Sequence, residues 1–314
     1  MNKEFHQTQW DASLRDEAAA LLRLAIREDL GPLGDCTCKA LIPKAAQGAA
    51  AVVARQGGVL AGLRVAETAA GLVDATVRWL PEKSDGDAIA AGDRVARIEG
   101  PARGILAAER VVLNFLGRLS GIASLTREYV EAVAGTAARV YDTRKTTPGW
   151  RRLEKHAVRA GGGHNHRTGL FDAILIKDNH LAFGREATSG GHFTPAEAVA
   201  QARQWIKRRV PELVRSRMIV EIEVDGLDQL DEVLRAGPDI VLLDNMTPEE
   251  LRDAVSRRDA QNPAVELEAS GGVTLASVRA IAESGVERIS VGALTHSARA
   301  LDFGLDWLAA GGTS

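Results

Sequence analysis

The second half of the chain repeats one pattern six times: a short apolar run ends at a polar or glycine residue, and a segment with helical spacing follows it. The runs lie at Arg139–Tyr141, Ala173–Ile176, Met218–Val224, Ile240–Leu243, Val265–Ala269 and Arg288–Val291. The helical segments lie at Trp150–Ala160, Pro195–Arg209, Leu227–Ala236, Pro248–Arg258, Leu275–Ser284 and His296–Leu308. Strands that alternate with helices pair in parallel through crossovers. This pattern predicts an α/β barrel, and a doubly wound open sheet is the alternative.

Polar residues at the ends of the runs favour the barrel. Asp142, Lys177 and Asp244 each follow a different run. A barrel collects such residues from all its strands on one catalytic face, whereas an open sheet gathers them near one switch point. Glu221 and Glu223 are two residues apart, so they share a strand face and are predicted to point into the barrel. Burying carboxylates is costly unless a metal or another cation meets them, and a structural ion pair would serve equally.

The first part of the chain mixes helix and strand patterns. Asp11–Asp29 and Glu109–Val133 carry apolar residues at helical spacing. Between them lie strand-like runs broken by Gly, Pro and Asp, at Ala50–Ala54, Val59–Ala61, Thr76–Leu80 and Arg94–Ile98. We therefore predict a small α/β domain over residues 1–125 and the barrel over residues 126–300. A C-terminal helix after about residue 300 is expected to pack on the first domain.

Composition limits the classes of partner. The net charge of −3 argues against a general nucleic-acid binder, which usually carries a basic excess. The longest apolar stretches fall far short of the ~20 residues of a membrane span, and the N-terminus has no apolar signal region. Cys36 and Cys38 are too close for an ordinary disulfide and are predicted to be reduced thiols. We therefore expect a cytoplasmic protein without a nucleic-acid or membrane partner.

Two segments carry three cations of a predicted anion site, Arg144, Lys145 and Arg167. Asp142–Gly149 supplies Thr143, Arg144 and Lys145 after a strand, and an arginine fork beside a lysine suits a polyanionic ligand better than a solvated turn. Gly161–Arg167 has three glycines that allow close backbone approach, followed by the donors His166 and Arg167. His164 and His166 could form a metal pair, but a third ligand is not evident.

Lys177 ends an apolar run, and its role is open. A lysine there forms a Schiff base in some barrel lyases, or it binds a substrate anion. It could also neutralise Asp178 or a barrel glutamate.

Small residues after the last two runs predict a phosphate cradle, because barrels often hold phosphate there on backbone N–H groups. The residues are Ser270, Gly271, Gly272, Val291, Gly292 and Ala293. Glu223 and Asp244 are candidate ligands of Mg²⁺, which takes one or two carboxylates plus phosphate oxygens. Together these residues suit transfer chemistry on a phosphorylated, carboxylated small molecule.

Nine motifs of the chain resemble the quinolinate phosphoribosyltransferase family. They run from about residue 28 to residue 302 and comprise Glu28–Gly31, Glu109–Asn114, Leu119–Ala123, Asp142–Gly149, Gly161–Arg167, Ile174–His180, Glu221–Val224, Leu242–Met246, and Ser270–Gly272 with Ser290–Ala298. The resemblance implies an N-terminal α/β sandwich domain and an incomplete, about seven-stranded α/β barrel. It also implies a homodimer, or a larger assembly, with active sites shared between subunits. The implied reaction converts quinolinate and phosphoribosyl pyrophosphate to nicotinate mononucleotide, pyrophosphate and CO₂ in NAD biosynthesis.

The resemblance also implies roles for single residues. Arg144, His166, Arg167 and Lys177 would bind the carboxylates of quinolinate, and Arg110 would reach the partner subunit's site. Lys145, Glu223 and Asp244 would handle phosphoribosyl pyrophosphate, its Mg²⁺ and the ribosyl cation. The small residues after the last two strands would hold the 5′-phosphate. The chain departs from the family pattern in the loop over residues 31–37, at Ser124, and in a longer loop at Gly184–Phe193.

Three other functions stay open at this stage. A related paralogue group linked to molybdenum transport shares the fold and acts on another substrate. A Schiff-base barrel lyase would use Lys177. A non-enzymatic binding protein would leave unexplained why Glu223 and Asp244 lie among four cations.

Overall fold

The computed structural model describes residues 3–184 and 194–308, so the unusual loop at Gly184–Phe193 lies almost wholly outside the described residues. The chain divides into two compact units. The barrel unit contains the chain up to Gln7, Glu128–Lys145 and Gly163–Ala293, and the second unit contains Thr8–Arg127, Thr146–Gly162 and the chain from Leu294. The first residues join the barrel unit because Lys3 and Phe5 contact the starts of the barrel strands.

The barrel unit is built on one parallel sheet. Its strands are β6 (Arg139–Tyr141), β7 (Ala173–Ile176), β8 (Ile219–Val224), β9 (Ile240–Asp244), β10 (Glu266–Ser270) and β11 (Arg288–Ser290), in the order β6-β11-β10-β9-β8-β7. All six predicted runs are strands, and the predicted parallel pairing is confirmed. Beyond β6, His164 forms a single parallel bridge with Tyr141. The seventh strand of the predicted barrel therefore consists of one residue pair.

Helices connect these strands, and three of them begin at a capping box. They are α6 (Asp178–Gly184), α7 (Pro195–Arg209), α8 (Glu212–Arg215), α9 (Leu227–Ala236), α10 (Pro248–Gln261) and α11 (Leu275–Ala282). Thr194, Thr247 and Thr274 cap α7, α10 and α11 with reciprocal side-chain bonds, and proline occupies the first turn of α7 and α10. β8 and β9 are buried along nearly their whole length, as expected for strands covered on both faces.

The second unit combines helices with a mainly antiparallel sheet. Its elements begin with α1 (Ala12–Leu30), α2 (Cys36–Leu41), β1 (Gln47–Ala54), β2 (Gly58–Val59), α3 (Leu63–Val73), β3 (Arg78–Pro81), β4 (Ala88–Ile89) and β5 (Arg94–Pro101). Next come α4 (Ala102–Ala132), which continues into the barrel unit, α5 (Arg151–Ala160), α12 (Ala293–His296) and β12 (Phe303–Trp307). The main sheet has the order β12-β1-β5-β3, and β2 pairs with β4.

The predicted C-terminal helix over His296–Leu308 is wrong. Phe303–Trp307 is strand β12, which pairs antiparallel with β1 and sets Leu305 opposite Val52. Without β12, the backbone edge of β1 would lack its partner, and pairing of that edge outweighs the local helical spacing. Gly304 lies inside this segment and weakens a helix there.

Among the described residues, no helix combines the length and the apolar character that crossing a bilayer requires.

Candidate active site

The predicted site residues of the barrel lie at the carboxyl ends of its parallel strands, which meet at one edge. Lys177 directly follows β7, Glu223 lies one residue before the end of β8, and Asp244 and Ser270 end β9 and β10. Ser270 is the register partner of Asp244. The segments from Asp142 and from Val291 follow β6 and β11 in the same way. The sheet therefore collects the cations, carboxylates and small residues on one face.

Three carboxylates form the acidic part of the site. One oxygen from each of Glu223, Asp225 and Asp244 lies within 4.8 Å of the others. Lys177 Nζ donates to Glu223 Oε2 and forms an ion pair with it. Asp225 was not predicted from the sequence, although its spacing of two residues from Glu223 could have identified it. Hard oxygen donors that are partly open to solvent are the ligands that Mg²⁺ prefers.

Asn245 fixes the loop after β9 against the loop after β10. It is the one non-glycine residue with positive φ in the described ranges, at 56°. Its N–H donates to the Ser270 carbonyl oxygen at 2.9 Å, and its Nδ2 donates to Asp244 Oδ2 at 2.6 Å. A Cβ atom on Gly271 would lie 2.2 Å from Asn245 Oδ1, so only glycine fits there. Strained backbone next to predicted phosphate and metal residues is typical of functional sites.

The predicted phosphate loops differ in the backbone donors they offer. Gly271 and Gly272 both have positive φ, at 90° and 58°, and no atom lies within 4 Å of a Cβ placed on Gly272. Val291 is buried, and its N–H donates to the Tyr141 carbonyl oxygen at 2.9 Å. The Val291 amide therefore continues the sheet. The open backbone of the cradle lies at Gly272.

Arg167 and Arg144 place two guanidinium groups near each other. Arg167 is buried, and burial, together with the charge of Arg144, lowers the pKa of Arg167. Glu221 and Asp172 act in the opposite direction. Two like charges in a desolvated position favour binding of an anion that neutralises both. Lys145 is exposed beside them, and its N–H donates to Thr143 Oγ1 at 3.0 Å, which tightens the turn after β6.

His166 faces protein groups with both ring nitrogens. Nδ1 accepts a hydrogen bond from the Arg167 N–H at 2.8 Å. Nε2 lies 3.0 Å from Glu221 Oε2 and 3.4 Å from Glu268 Oε1. With Nδ1 as acceptor, the ring proton of neutral histidine is on Nε2 and faces the two carboxylates. Its contribution to binding a substrate carboxylate stays a prediction.

A buried charge cluster fills the barrel interior behind His166. Glu221, Glu268 and Arg288 are fully buried, and Arg288 Nε donates to Glu268 Oε2 at 3.1 Å. Burial raises the pKa of Glu221 to about 7 against the lowering effect of Arg288 and Arg167. Although Glu221 lies close to His166, neither of its oxygens accepts a well-directed hydrogen bond from the described residues. The inward direction of Glu221 is as predicted, but Arg288 was not anticipated as an interior cation.

Two alternatives receive no support from this geometry. A Schiff base at Lys177 requires the neutral amine, whereas Lys177 is ion-paired with Glu223. A metal site that joins His164 and His166 does not form within the described residues, where His166 groups instead with Glu221 and Glu268. Glu268 already pairs with Arg288.

Arg110 lies on α4 in the second unit. Its side chain is exposed, and Nη2 donates to Glu109 Oε1 at 2.7 Å. Its role across a subunit interface stays a prediction.

The fold and this edge define a class: an α/β-barrel enzyme whose strand ends carry clustered cations and carboxylates. The sequence profile of the quinolinate phosphoribosyl transferase C-terminal domain matches residues 122–306, and that of the N-terminal domain matches residues 35–120. The chain belongs to the quinolinate phosphoribosyltransferase family, as its motifs predicted.

Relatives match over nearly the whole chain. The nicotinate-nucleotide pyrophosphorylase [carboxylating] of Mycobacterium leprae is 42% identical over 93% of this chain and 97% of that protein. A probable nicotinate-nucleotide pyrophosphorylase [carboxylating] of Bacillus subtilis is 41% identical over 91% of this chain and 92% of its own. The nicotinate-nucleotide pyrophosphorylase structure from Francisella tularensis has a TM-score of 0.84 at 35% identity, and covers 97% of this chain and 100% of that one. The predicted two-domain α/β fold is thereby confirmed.

Proposed function

We propose that this protein transfers the phosphoribosyl group of phosphoribosyl pyrophosphate to the ring nitrogen of quinolinate. The products are nicotinate mononucleotide, pyrophosphate and CO₂, in a step of NAD biosynthesis. The observation that carries the proposal is the convergence of four cations with the Glu223–Asp244 carboxylates at one edge of the barrel. The names of the M. leprae and B. subtilis relatives agree with this activity and do not favour the molybdenum-transport alternative.

The two carboxylates of quinolinate are assigned to Arg144, Arg167 and Lys177. Arg167 and Arg144 carry like charges and repel each other. Binding of a dianion to both is favoured because it removes that repulsion. Guanidinium groups bind carboxylates bidentately, which also fixes the plane of the pyridine ring. Lys177 would weaken its ion pair with Glu223 and form one with a carboxylate of the substrate.

The phosphoribosyl group is assigned to the neighbouring residues of the same edge. Lys145 is a point charge for the pyrophosphate, and the loops Ser270–Gly272 and Val291–Ala293 supply small residues for the 5′-phosphate, with the open backbone at Gly272. Glu223 and Asp244 place negative charge where the ribosyl carbon becomes positive as its bond to pyrophosphate breaks. Fixed charges directed at a developing charge are typically the largest contribution to catalysis.

We propose Mg²⁺ as the cofactor. The oxygens of Glu223, Asp225 and Asp244 are close enough to share one cation, and carboxylates suit its chemistry. When bound with the substrate, Mg²⁺ would neutralise the departing pyrophosphate.

Decarboxylation then needs no further group from the protein. Once ribose is attached, the ring nitrogen is positively charged. The bond to the carboxylate on the adjacent carbon breaks, CO₂ leaves, and the electron pair stays on that ring carbon, where the neighbouring positive nitrogen stabilises it. A proton from water completes nicotinate mononucleotide. The task of Arg144 and Arg167 is to hold the dianion in place for the first step.

The assembly we propose is a homodimer with sites shared between subunits. The exposed position of Arg110 supports this, because its only ion pair among the described residues is with its neighbour Glu109, which leaves the cation available to a second chain. We further propose a cytoplasmic location, since Cys36 and Cys38 are both unpaired thiols. A net charge of −3 supports the absence of a nucleic-acid partner, and no membrane partner is needed for these substrates.

Product formation tests the proposal. Purified protein is supplied with phosphoribosyl pyrophosphate, Mg²⁺ and either quinolinate or nicotinate, and the mononucleotide is quantified. We expect product from quinolinate and little from nicotinate, which lacks the second carboxylate. Turnover of another acid in preference to quinolinate would favour the paralogue function.

A further inference from the structure

The first described residues of the chain lie at the end of the barrel opposite to the candidate active site. Lys3 Nζ donates to the carbonyl oxygen of Met218, just before β8, at 2.7 Å. The ring of Phe5 packs among the first residues of three strands, Ala173, Ile219 and Ile240. We call Lys3–Gln7 the N-terminal segment. It covers the strand starts, whereas the predicted substrate residues follow the strand ends.

Gln7 pairs with both backbone groups of one residue in a substrate-binding loop. The Asn165 N–H donates to Gln7 Oε1 at 2.8 Å, and Gln7 Nε2 donates to the Asn165 carbonyl oxygen at 3.0 Å. Gln7 Nε2 also donates to the Phe5 carbonyl oxygen at 2.9 Å, which orients the amide. Asn165 directly precedes His166 and Arg167. One side chain therefore fixes the backbone that leads into two predicted quinolinate ligands.

Asp142 holds the same loop from the other direction. Asn165 Nδ2 donates to Asp142 Oδ2 at 2.7 Å, and the His166 N–H donates to Asp142 Oδ1 at 2.9 Å. Asp142 follows β6, at the edge that carries the site. The loop is thus fixed between one residue of the catalytic edge and one residue of the N-terminal segment.

Two further contacts join the segment to His166. The rings of Phe5 and His166 pack with centroids 4.2 Å apart. Glu4 Oε1 accepts from Arg288 Nη2 at 3.0 Å, and Arg288 in turn binds Glu268, whose Oε1 lies 3.4 Å from His166 Nε2. β6 and β11 have three residues each, so they span only roughly 10 Å. Contacts at the strand starts can therefore set the position of residues at the strand ends.

We propose that the N-terminal segment, through Gln7, is a positioning element that sets the placement of Arg167 for quinolinate. The proposal rests on the proposed function of Arg167 as a ligand of quinolinate. Gln7 does not touch the reacting atoms. It is a positioning residue, and its effect should fall on quinolinate more than on phosphoribosyl pyrophosphate, whose predicted ligands lie on other strands.

The test compares Gln7→Ala with Lys3→Ala. Lys3 belongs to the same segment, but within the described ranges it bonds Met218 and Asp239 alone, and Asp239 keeps Arg203 as a partner at 3.1 Å. We expect Gln7→Ala to raise the KM for quinolinate, and the Kd for quinolinate measured by calorimetry, about tenfold, the factor expected for loss of a pair of backbone hydrogen bonds in a binding loop. The KM for phosphoribosyl pyrophosphate should stay within about twofold, and Lys3→Ala should leave both constants unchanged.

A second variant, Gln7→Glu, guards against a purely structural effect. It keeps an acceptor for the Asn165 N–H but sets a carboxylate oxygen against two carbonyl oxygens, so it should weaken quinolinate binding at least as much as Gln7→Ala. Unchanged quinolinate constants in both Gln7 variants, with an active wild-type enzyme, would overturn this inference alone. Equal losses for both substrates, or equal losses in Lys3→Ala, would also overturn it. A wild-type protein without turnover of quinolinate would instead overturn the proposed function and this inference with it.

Discussion

Arg288 in the barrel interior neutralises carboxylates whose burial is energetically costly. Arg288 is fully buried, and its guanidinium bonds Glu4, Glu266 and Glu268. It also lies 3.9 Å from the centroid of the Tyr141 ring. A buried arginine with this many partners stabilises the carboxylates that would otherwise lack a counter-ion. The interior is therefore organised by charge, and His166, a predicted substrate ligand, lies next to two carboxylates of this cluster, Glu221 and Glu268.

Removing Arg288 should destabilise the protein through the carboxylates that it leaves behind. We expect Arg288→Met to lower the free energy of unfolding by about 3–5 kcal/mol, and the double change Arg288→Met with Glu268→Gln to recover part of that loss. Arg257→Met is the control, because Arg257 pairs with Asp253 at a partly exposed position and should cost about 1 kcal/mol or less. Urea denaturation measures all four proteins. A double variant less stable than Arg288→Met would contradict this account.

Replacing Arg167 separates the shape of its guanidinium from its charge. We expect Arg167→Lys to raise the KM for quinolinate at least about tenfold, because a lysine keeps the charge but loses the bidentate geometry. The matched control is Arg235→Lys, since Arg235 is exposed in the last turn of α9. Steady-state kinetics with each substrate varied in turn give the answer. A wild-type KM for quinolinate in Arg167→Lys would remove Arg167 from the binding site.

At the scale of elements, periodicity predicted most of the fold. The six barrel strands and the helices α7 and α9 follow from spacing and caps, which are local. β12 was not predicted, because its partner β1 lies far away in the sequence and a pairing partner is not a local signal. α3 was not predicted either, although its buried Leu63, Ala66 and Ala70 have helical spacing.

The candidate site also divides into residues with local sequence signals and residues whose role depends on distant parts of the chain. Residues at strand ends could be predicted because one parallel sheet gathers them on one edge. Asn245 and Gln7 could not, since their roles depend on close approach of loops that the sequence does not set side by side. Arg288 begins a predicted strand, and only the structure shows which carboxylates surround it.

Close packing of α4 on the chain before β12 gives an element-scale prediction. A Cβ atom on Gly121 would lie 2.0 Å from the Arg299 carbonyl oxygen, whereas a Cβ on Gly71 of α3 meets nothing within 4 Å. We expect Gly121→Ala to destabilise the protein by about 1–3 kcal/mol through overpacking against backbone. Gly71→Ala should be neutral or stabilise by up to about 1 kcal/mol, because alanine favours helix. Thermal unfolding of both variants tests this, and equal midpoints would contradict it.

At the scale of the whole molecule, a shared site would be built from residues of two chains. Arg110 and Lys145 belong to different compact units of one chain. If each site combines Lys145 of one subunit with Arg110 of the other, a mixed dimer of two inactive variants contains one intact site.

Mixing Arg110→Ala with Lys145→Ala should therefore restore activity. Random exchange of subunits places half of the chains in mixed dimers, so we expect about a quarter of the wild-type activity. Each variant alone, taken through the same exchange procedure, is the control. Absence of any recovery, with exchange verified by differently tagged subunits, would rule out a site shared in this way.

We propose that phosphoribosyl transfer and loss of one carboxylate of quinolinate occur at the same barrel edge. The most direct measurement uses quinolinate labelled in the carboxylate next to the ring nitrogen, with phosphoribosyl pyrophosphate and Mg²⁺, and follows labelled CO₂ and the mononucleotide together. We predict equal amounts of the two products, no CO₂ without phosphoribosyl pyrophosphate, and loss of both products in Lys145→Ala. Mononucleotide that retains the label, or CO₂ released without phosphoribosyl pyrophosphate, would contradict the claim.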